Sequence, residues 1–256
     1  MDTPSPILQE REHGLVASAG LATNVLPPWD MYVVCVSLIS GYILIPLLVS
    51  QMLLLWAPFC GDTVQMVVQQ STTLLTWITI FAVLRWRYGA IAQYLGLVLN
   101  RPLAYYGWEA VQLILLTTGL TLGLNVFWTV IAQLLPGWHP ADKIPYTDYH
   151  SFRLLVLAGF AVLMAPFLEE LIFRGLVQST FYKKCQPLQA VFWATLVFLS
   201  LHGSYFGDIK ALSHVLVLGL CLGFWRERTQ SLVPGMLAHG FNNGLALFML
   251  LKYAPK

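Results

Sequence analysis

The chain has 256 residues, of which 57% are hydrophobic and only 10% are charged. A soluble globular protein uses about a quarter charged residues because its surface faces water, so this composition argues against a soluble protein and indicates a chain solvated by lipid. The net charge of +2, without any basic tract, argues against a nucleic-acid partner. The four cysteines are scattered and form no CxxC pair, so nothing predicts a disulfide framework or a zinc knuckle.

In chain order, residues 1–28 form a polar segment that lacks the early apolar run of a signal peptide, so we expect no cleaved signal. The rest of the chain, 29–256, is predicted to be one transmembrane domain. A helix needs about 20 apolar residues to cross the hydrocarbon. Candidate helices are predicted at 31–57, 66–86, 109–135, 154–182, 188–202, 212–225 and 233–251. The predicted fold class is therefore all-α, a polytopic transmembrane bundle of seven to eight helices.

The basic residues between the predicted spans indicate the orientation of the chain. With seven spans, eight Lys and Arg residues lie on the side of the N-terminus and five lie on the other side. Cytoplasmic loops carry the excess of Lys and Arg, so the N-terminus is predicted to be cytoplasmic. The loop after the second span contains AIAQYLGL, which is expected to form a short helix on that surface.

Three charged residues lie inside the fourth predicted span, where charge is costly and requires a reason. Glu170 and Arg174 are four residues apart, so they share a helical face and can pair. Glu169 points about 100° away from Glu170 and has no basic partner at that spacing. It needs a partner from another helix or a bound proton, which is the situation of a general base.

Two later spans contain polar side chains at helical spacing. His202 follows Phe198 by four residues, and Asn243 follows His239 by four. Glu169 and His202 could together hold and deprotonate a water, while His239 and Asn243 could donate hydrogen bonds to a developing oxyanion. A single Glu–Arg pair or a single histidine in a bundle is as well explained by structure alone, but five such groups on three helices predict a hydrolytic site.

These residues resemble the motifs of the CPBP family, also called the Abi family, which comprises the type II CAAX prenyl endopeptidases and their bacterial relatives. The family shows EExxxR, FxxxH and HxxxN on three successive membrane regions. In this chain the motifs lie within residues 160–251 and are formed by Glu169, Glu170 and Arg174, by Phe198 and His202, and by His239 and Asn243.

The resemblance implies an intramembrane endopeptidase that cleaves a membrane-associated or prenylated-type protein at or near the cytoplasmic face. It implies that Glu169 is the base, that His202 helps to hold the water, and that His239 and Asn243 form the oxyanion site. The paired Glu170 and Arg174 would support the architecture. By the same resemblance, we expect the chain to reside in a bacterial inner membrane.

The cofactor, the partners and the function each keep alternatives. The family is often described as metalloproteases, but the residues lack the HExxH spacing of zinc proteases, so no metal is favoured and zinc is the alternative.

The expected partners are a protein or peptide substrate and the lipid bilayer, and nothing indicates the oligomeric state. Two other functions stay open: a non-catalytic immunity or scaffold protein of the same fold, and a proton-coupled transporter, for which no inverted repeat is found.

Overall fold

The computed structural model describes residues 26–56, 61–135, 151–202 and 206–253, so most of the predicted polar segment 1–28 lies outside the described residues. The described part contains eight helices. The first, α1, consists of Met31–Leu38, Ile39–Leu44 and Ile45–Trp56. Then follow α2 at Asp62–Tyr88, α3 at Ala92–Leu95 and α4 at Leu103–Leu134. The fifth, α5, consists of Ser151–Gly159, Phe160–Met164, Ala165–Glu169, Glu170–Val177 and Gln178–Phe181. The last are α6 at Pro187–Ser200, α7 at Ile209–Thr229 and α8 at Val233–Tyr253.

The all-α membrane fold is confirmed, but the predicted number of spans is not. Among the residues that the structure describes, five helical stretches are long and apolar enough to cross a membrane: Met31–Leu55, Thr63–Tyr88, Leu103–Leu134, Leu154–Phe181 and Ile209–Thr229. Helix α6 has only 14 residues, and α8, which contains the polar run AHGFNNG, is not among the five. The predicted short helix after the second span is present as α3.

Helices α1 and α5 change from α- to π-helical geometry inside the bundle, at Ile39–Leu44, Phe160–Met164 and Glu170–Val177. Pro166 explains part of this change, because proline has no backbone N–H to donate. Ala165 N–H donates to the carbonyl of Phe160, five residues back. At the same spacing of five residues, the carbonyl of Ala161 would accept from residue 166, which is the proline and has no N–H. The carbonyl of Ala161 is therefore available to a side chain of another helix.

Helices α5 and α7 pack closely because α7 offers glycines where α5 offers long polar side chains. Arg174 Nη2 donates to the carbonyl of Gly219 at 3.0 Å, and Gln178 Nε2 donates to that of Gly223 at 3.1 Å. A Cβ at Gly219 would lie 2.8 Å from the Cγ2 of Thr195 on α6. Small residues four apart let membrane helices approach this closely, so three helices of the C-terminal part are joined here.

One end of the bundle collects most of the basic residues. The indole of Trp29, just before α1, donates to the Thr180 hydroxyl of α5 at 2.9 Å and packs against Tyr88 at the end of α2. The N–H of Leu232, just before α8, donates to the carbonyl of Gly96 after α3. This end therefore includes the basic residues in the last turns of α2 and α7 and those just after α5, namely Arg85, Arg87, Arg226, Arg228, Lys183 and Lys184.

Candidate active site

A fully buried carboxylate, Glu170, lies at the centre of the polar cluster. Its Oε1 is 3.6 Å from Arg174 Nη1 and 3.3 Å from His239 Nδ1. The predicted Glu170–Arg174 pair is thus present, and His239 of α8 joins it. A buried charge is tolerated when it is paired and hydrogen-bonded, so these contacts connect the first and third motifs in a single network.

Arg174 is also buried and is held from three sides. Besides Glu170, its guanidinium donates to the carbonyl of Gly219 and lies 4.6 Å from the centroid of the Phe198 ring. A cation over an aromatic face is attracted by the ring quadrupole, more strongly when water is absent. Arg174 therefore has little freedom to move, and it keeps Glu170 in place.

Glu169 meets the same histidine from the other side. Its Oε2 lies 3.6 Å from His239 Nε2, and its side chain is 22% exposed, whereas Glu170 is fully buried. With Nδ1–H donating to Glu170, the Nε2 atom of His239 is directed at Glu169 across a gap slightly longer than a hydrogen bond. A carboxylate on one ring nitrogen fixes the tautomer and orientation of a histidine, so Glu170 aims His239 at the more accessible Glu169.

His202 lies beside the same aromatic ring. Its Nδ1 is 2.8 Å from the carbonyl oxygen of Phe198, one turn back. Its ring centroid is 4.4 Å from that of Phe198, and the ring centroid of His239 lies 6.1 Å from the same phenylalanine. The structure therefore brings His202 and His239 to one phenylalanine and places His239 against Glu169. The predicted partnership of His202 with Glu169 stays a prediction.

The two asparagines of α8 are both used to join helices. Asn243 Nδ2 donates to the free carbonyl of Ala161 at 2.9 Å, and Asn242 Nδ2 donates to the Thr117 hydroxyl of α4 at 2.8 Å. An amide NH₂ carries two hydrogens, so Asn243 retains one for a ligand. Its role as an oxyanion donor stays a prediction, and its role in positioning α8 against α5 was missed.

Gly235 is a further site residue that the sequence did not reveal. A Cβ at this position would lie 3.0 Å from Oε2 of Glu170, an oxygen that has no hydrogen-bond partner among the described residues. A methyl group at this position would require the Glu170 carboxylate to shift by a few tenths of an ångström. The sequence does contain a glycine directly after Pro234, in the first turn of an apolar helix. Glycine is more usual just past the end of a helix, so its presence there could have indicated a close contact.

The zinc alternative finds no matching donor set. Among the described residues, no three His, Cys, Asp or Glu side chains are arranged to hold a metal ion. The two carboxylates and His239 face one another instead of converging on a common point, which is the arrangement of a hydrogen-bonded chain. Catalysis without a metal stays a prediction.

Comparison with known proteins agrees with the motif resemblance. Residues 151–245 match the family model described as "Type II CAAX prenyl endopeptidase Rce1-like", and this range contains all three motifs. No curated protein and no solved structure matches the chain. The match begins at α5, so helices α1 to α4 lie outside it.

Proposed function

Because residues 151–245 match the family model described as "Type II CAAX prenyl endopeptidase Rce1-like", we propose that this membrane protein is an intramembrane endopeptidase that hydrolyses peptide bonds with a glutamate-activated water. One observation supports the proposal above the others. A partly accessible carboxylate, Glu169, faces a histidine that a second, fully buried carboxylate orients. A base beside an oriented imidazole is the arrangement that proton transfer from water requires.

In the proposed reaction, a water held by Glu169 and His202 attacks the carbonyl carbon of the scissile peptide bond. Glu169 takes the proton of the water as the new C–O bond forms. The negative charge that develops on the carbonyl oxygen is stabilised by hydrogen bonds from Nε2–H of His239, which in the imidazolium form keeps its Nδ1–H on Glu170, and from the free hydrogen of Asn243. Glu169 then passes the proton to the leaving nitrogen as the C–N bond breaks, which regenerates the carboxylate.

The proposed substrate is a protein or peptide segment that reaches the site from the basic end of the bundle. His239 follows Val233, the first residue of α8, by six positions, which at the helical rise is about 9 Å. The site therefore lies close to the membrane surface that the Lys and Arg residues indicate to be cytoplasmic. We propose cleavage close to that surface, with the N-terminus on the same side and the protein in a bacterial inner membrane.

The experiment that tests this function compares protein termini in membranes of cells that produce the wild type, Glu169→Gln or Glu109→Gln. Glu109 is a second buried carboxylate, paired with Arg228 at 3.1 Å and outside the site, so it is the matched control. New termini should appear with the wild type and Glu109→Gln and be absent with Glu169→Gln. Equal termini in all three membranes, at equal expression, would reject the protease and favour the scaffold, while proton uptake by reconstituted vesicles would favour the transporter.

We further propose that the water is activated without a metal. The purified active protein should then keep its full rate after incubation with a strong chelator and removal of the chelator. Loss of the rate, with recovery on adding zinc alone, would replace the proposed mechanism with a zinc-dependent one.

A further inference from the structure

A groove open to the membrane lies between α2, α3 and α5, and we call it the α2–α5 groove. Its volume is about 750 Å³, and Arg85 is the one charged residue among the described residues that line it. The floor includes buried leucines of α3 and α5, namely Leu95, Leu168 and Leu171. The sides include Ile78, which is exposed on a helix long enough to cross the membrane. The groove is therefore an apolar space that lipid can enter from the side.

The α2–α5 groove has the depth of one leaflet. On α2 its lining runs from Leu74 to Arg85, a helical rise of about 16 Å, which is about half the thickness of the hydrocarbon core. Arg85 lies in the last turn of α2, at the basic end of the bundle. The next residue, Trp86, is 84% exposed, which suits an aromatic side chain at the membrane interface. The groove thus begins at headgroup depth and ends near the middle of the bilayer.

Arg85 gives the mouth of this groove a positive charge. Its Nη1 donates to the carbonyl of Gly89 at 3.3 Å, a contact that holds the side chain near the end of α2. A carbonyl oxygen does not neutralise a guanidinium, whose other N–H groups can bind a phosphate in pairs. An apolar groove of one leaflet depth with a cation at its mouth is complementary to an anionic phospholipid.

A second groove, between α5 and α8, provides a contrast within the same molecule. This α5–α8 groove has a volume of about 610 Å³, and all the described residues that line it are apolar. Phe167 lines both grooves, so they lie on two sides of α5. Both can accommodate an acyl chain, but the α5–α8 groove lacks a charged residue in its described lining and has no means to select a headgroup.

We propose that the α2–α5 groove is a binding site for one anionic phospholipid from the leaflet at the basic end, with its phosphate on Arg85 and an acyl chain in the groove. Leu168 and Leu171 directly flank the site residues Glu169 and Glu170 along α5. The bound lipid therefore supports the turn that carries the site and joins it to α2 and α3, which the family match does not include. The proposal concerns lipid binding alone, so it does not depend on the proposed function.

The test uses the purified full-length protein in detergent and a phosphatidylglycerol with a photoreactive acyl chain, with the labelled residues mapped by mass spectrometry. Labelling of residues 74–85 should be suppressed by unlabelled phosphatidylglycerol at about five- to tenfold lower concentration than by phosphatidylcholine with the same chains. Labelling of residues 233–245, which contribute α8 to the second groove, should be suppressed equally by both lipids. Equal suppression by the two lipids at residues 74–85 would overturn the proposal.

Variants with matched controls test the two parts of the site separately. Arg85→Gln should abolish the preference for phosphatidylglycerol, whereas Arg101→Gln should keep it, because Arg101 lies over the Tyr105 ring and outside the groove lining. Ala82→Phe fills the groove and should prevent labelling by either lipid. Val83→Phe adds a ring at the neighbouring exposed position outside the lining and should label normally. Wild-type preference in Arg85→Gln, or wild-type labelling in Ala82→Phe, would reject the site.

Discussion

Two regions of the molecule are equally apolar but use their surfaces differently. The most apolar stretch of α4 has a mean hydropathy of 1.7 and that of α5 has 2.0, yet only 6% of the residues are buried in the first and 29% in the second. On α4, Leu115 and Phe127 are exposed, whereas on α5 Ile172 and Phe173 are buried. Hydropathy reports how well a helix dissolves in lipid, and it does not distinguish a lipid-facing side from one that packs on protein.

The polar groups of the two regions differ in the same way. In α4, Asn125 and Thr129 donate to the carbonyls four residues back in their own helix. In α5, the side chains of Glu170, Arg174 and Gln178 bind groups on α7 and α8. A polar side chain that hydrogen-bonds within its own helix is tolerated in lipid at little cost. A polar side chain that hydrogen-bonds to another helix specifies one arrangement of the two helices. The site and the packing of α5 to α8 therefore depend on one network of polar side chains.

The largest expected effect comes from removing one charge of that network. Arg174→Ala leaves Glu170 buried without its cation and should destabilise the protein by about 3–5 kcal/mol, seen as loss of the folded fraction after heating in detergent. The double variant Glu170→Leu/Arg174→Met removes both charges and should recover most of this stability. It should stay inactive, because His239 has lost the carboxylate that orients it. A double variant as unstable as Arg174→Ala would contradict the pairing.

A smaller effect separates the two sides of a single helix. Leu113 and Leu122 both lie on α4, but the first is 0% and the second 59% exposed. Leu113→Ala creates a cavity and should cost about 2–4 kcal/mol. Leu122→Ala removes only a contact with lipid and should change stability by less than about 0.5 kcal/mol. Equal thermal midpoints for the two variants would mean that α4 packs on both sides.

The smallest expected change in stability accompanies a clear change in activity. Gly235→Ala gains about 1 kcal/mol of helix propensity, but its methyl group contacts Glu170 and turns His239, so we expect a near-normal thermal midpoint and a kcat about tenfold lower. Gly119→Ala is the matched control, because a Cβ there meets nothing within 4 Å. Full activity in Gly235→Ala would show that Glu170 can move without consequence.

Much of the candidate site is local in the sequence. Glu170 and Arg174 pair because they are one turn apart, and their cost in an apolar helix marks them without any structure. The same argument identified His202, His239 and Asn243 as polar groups in apolar segments. It could not assign their partners, because spacing along one helix says nothing about which face of another helix lies opposite.

The sequence by itself determined the solvent of this protein, its helical class and the ionisable residues of the site, since these depend on composition and on local spacing. Only the tertiary structure decided that His239 lies between Glu169 and Glu170 and that Gly235 lies against the Glu170 carboxylate. Those contacts depend on π-helical segments that change the direction of side chains within a helix. They also depend on close helix crossings, which exist only when the whole bundle is assembled.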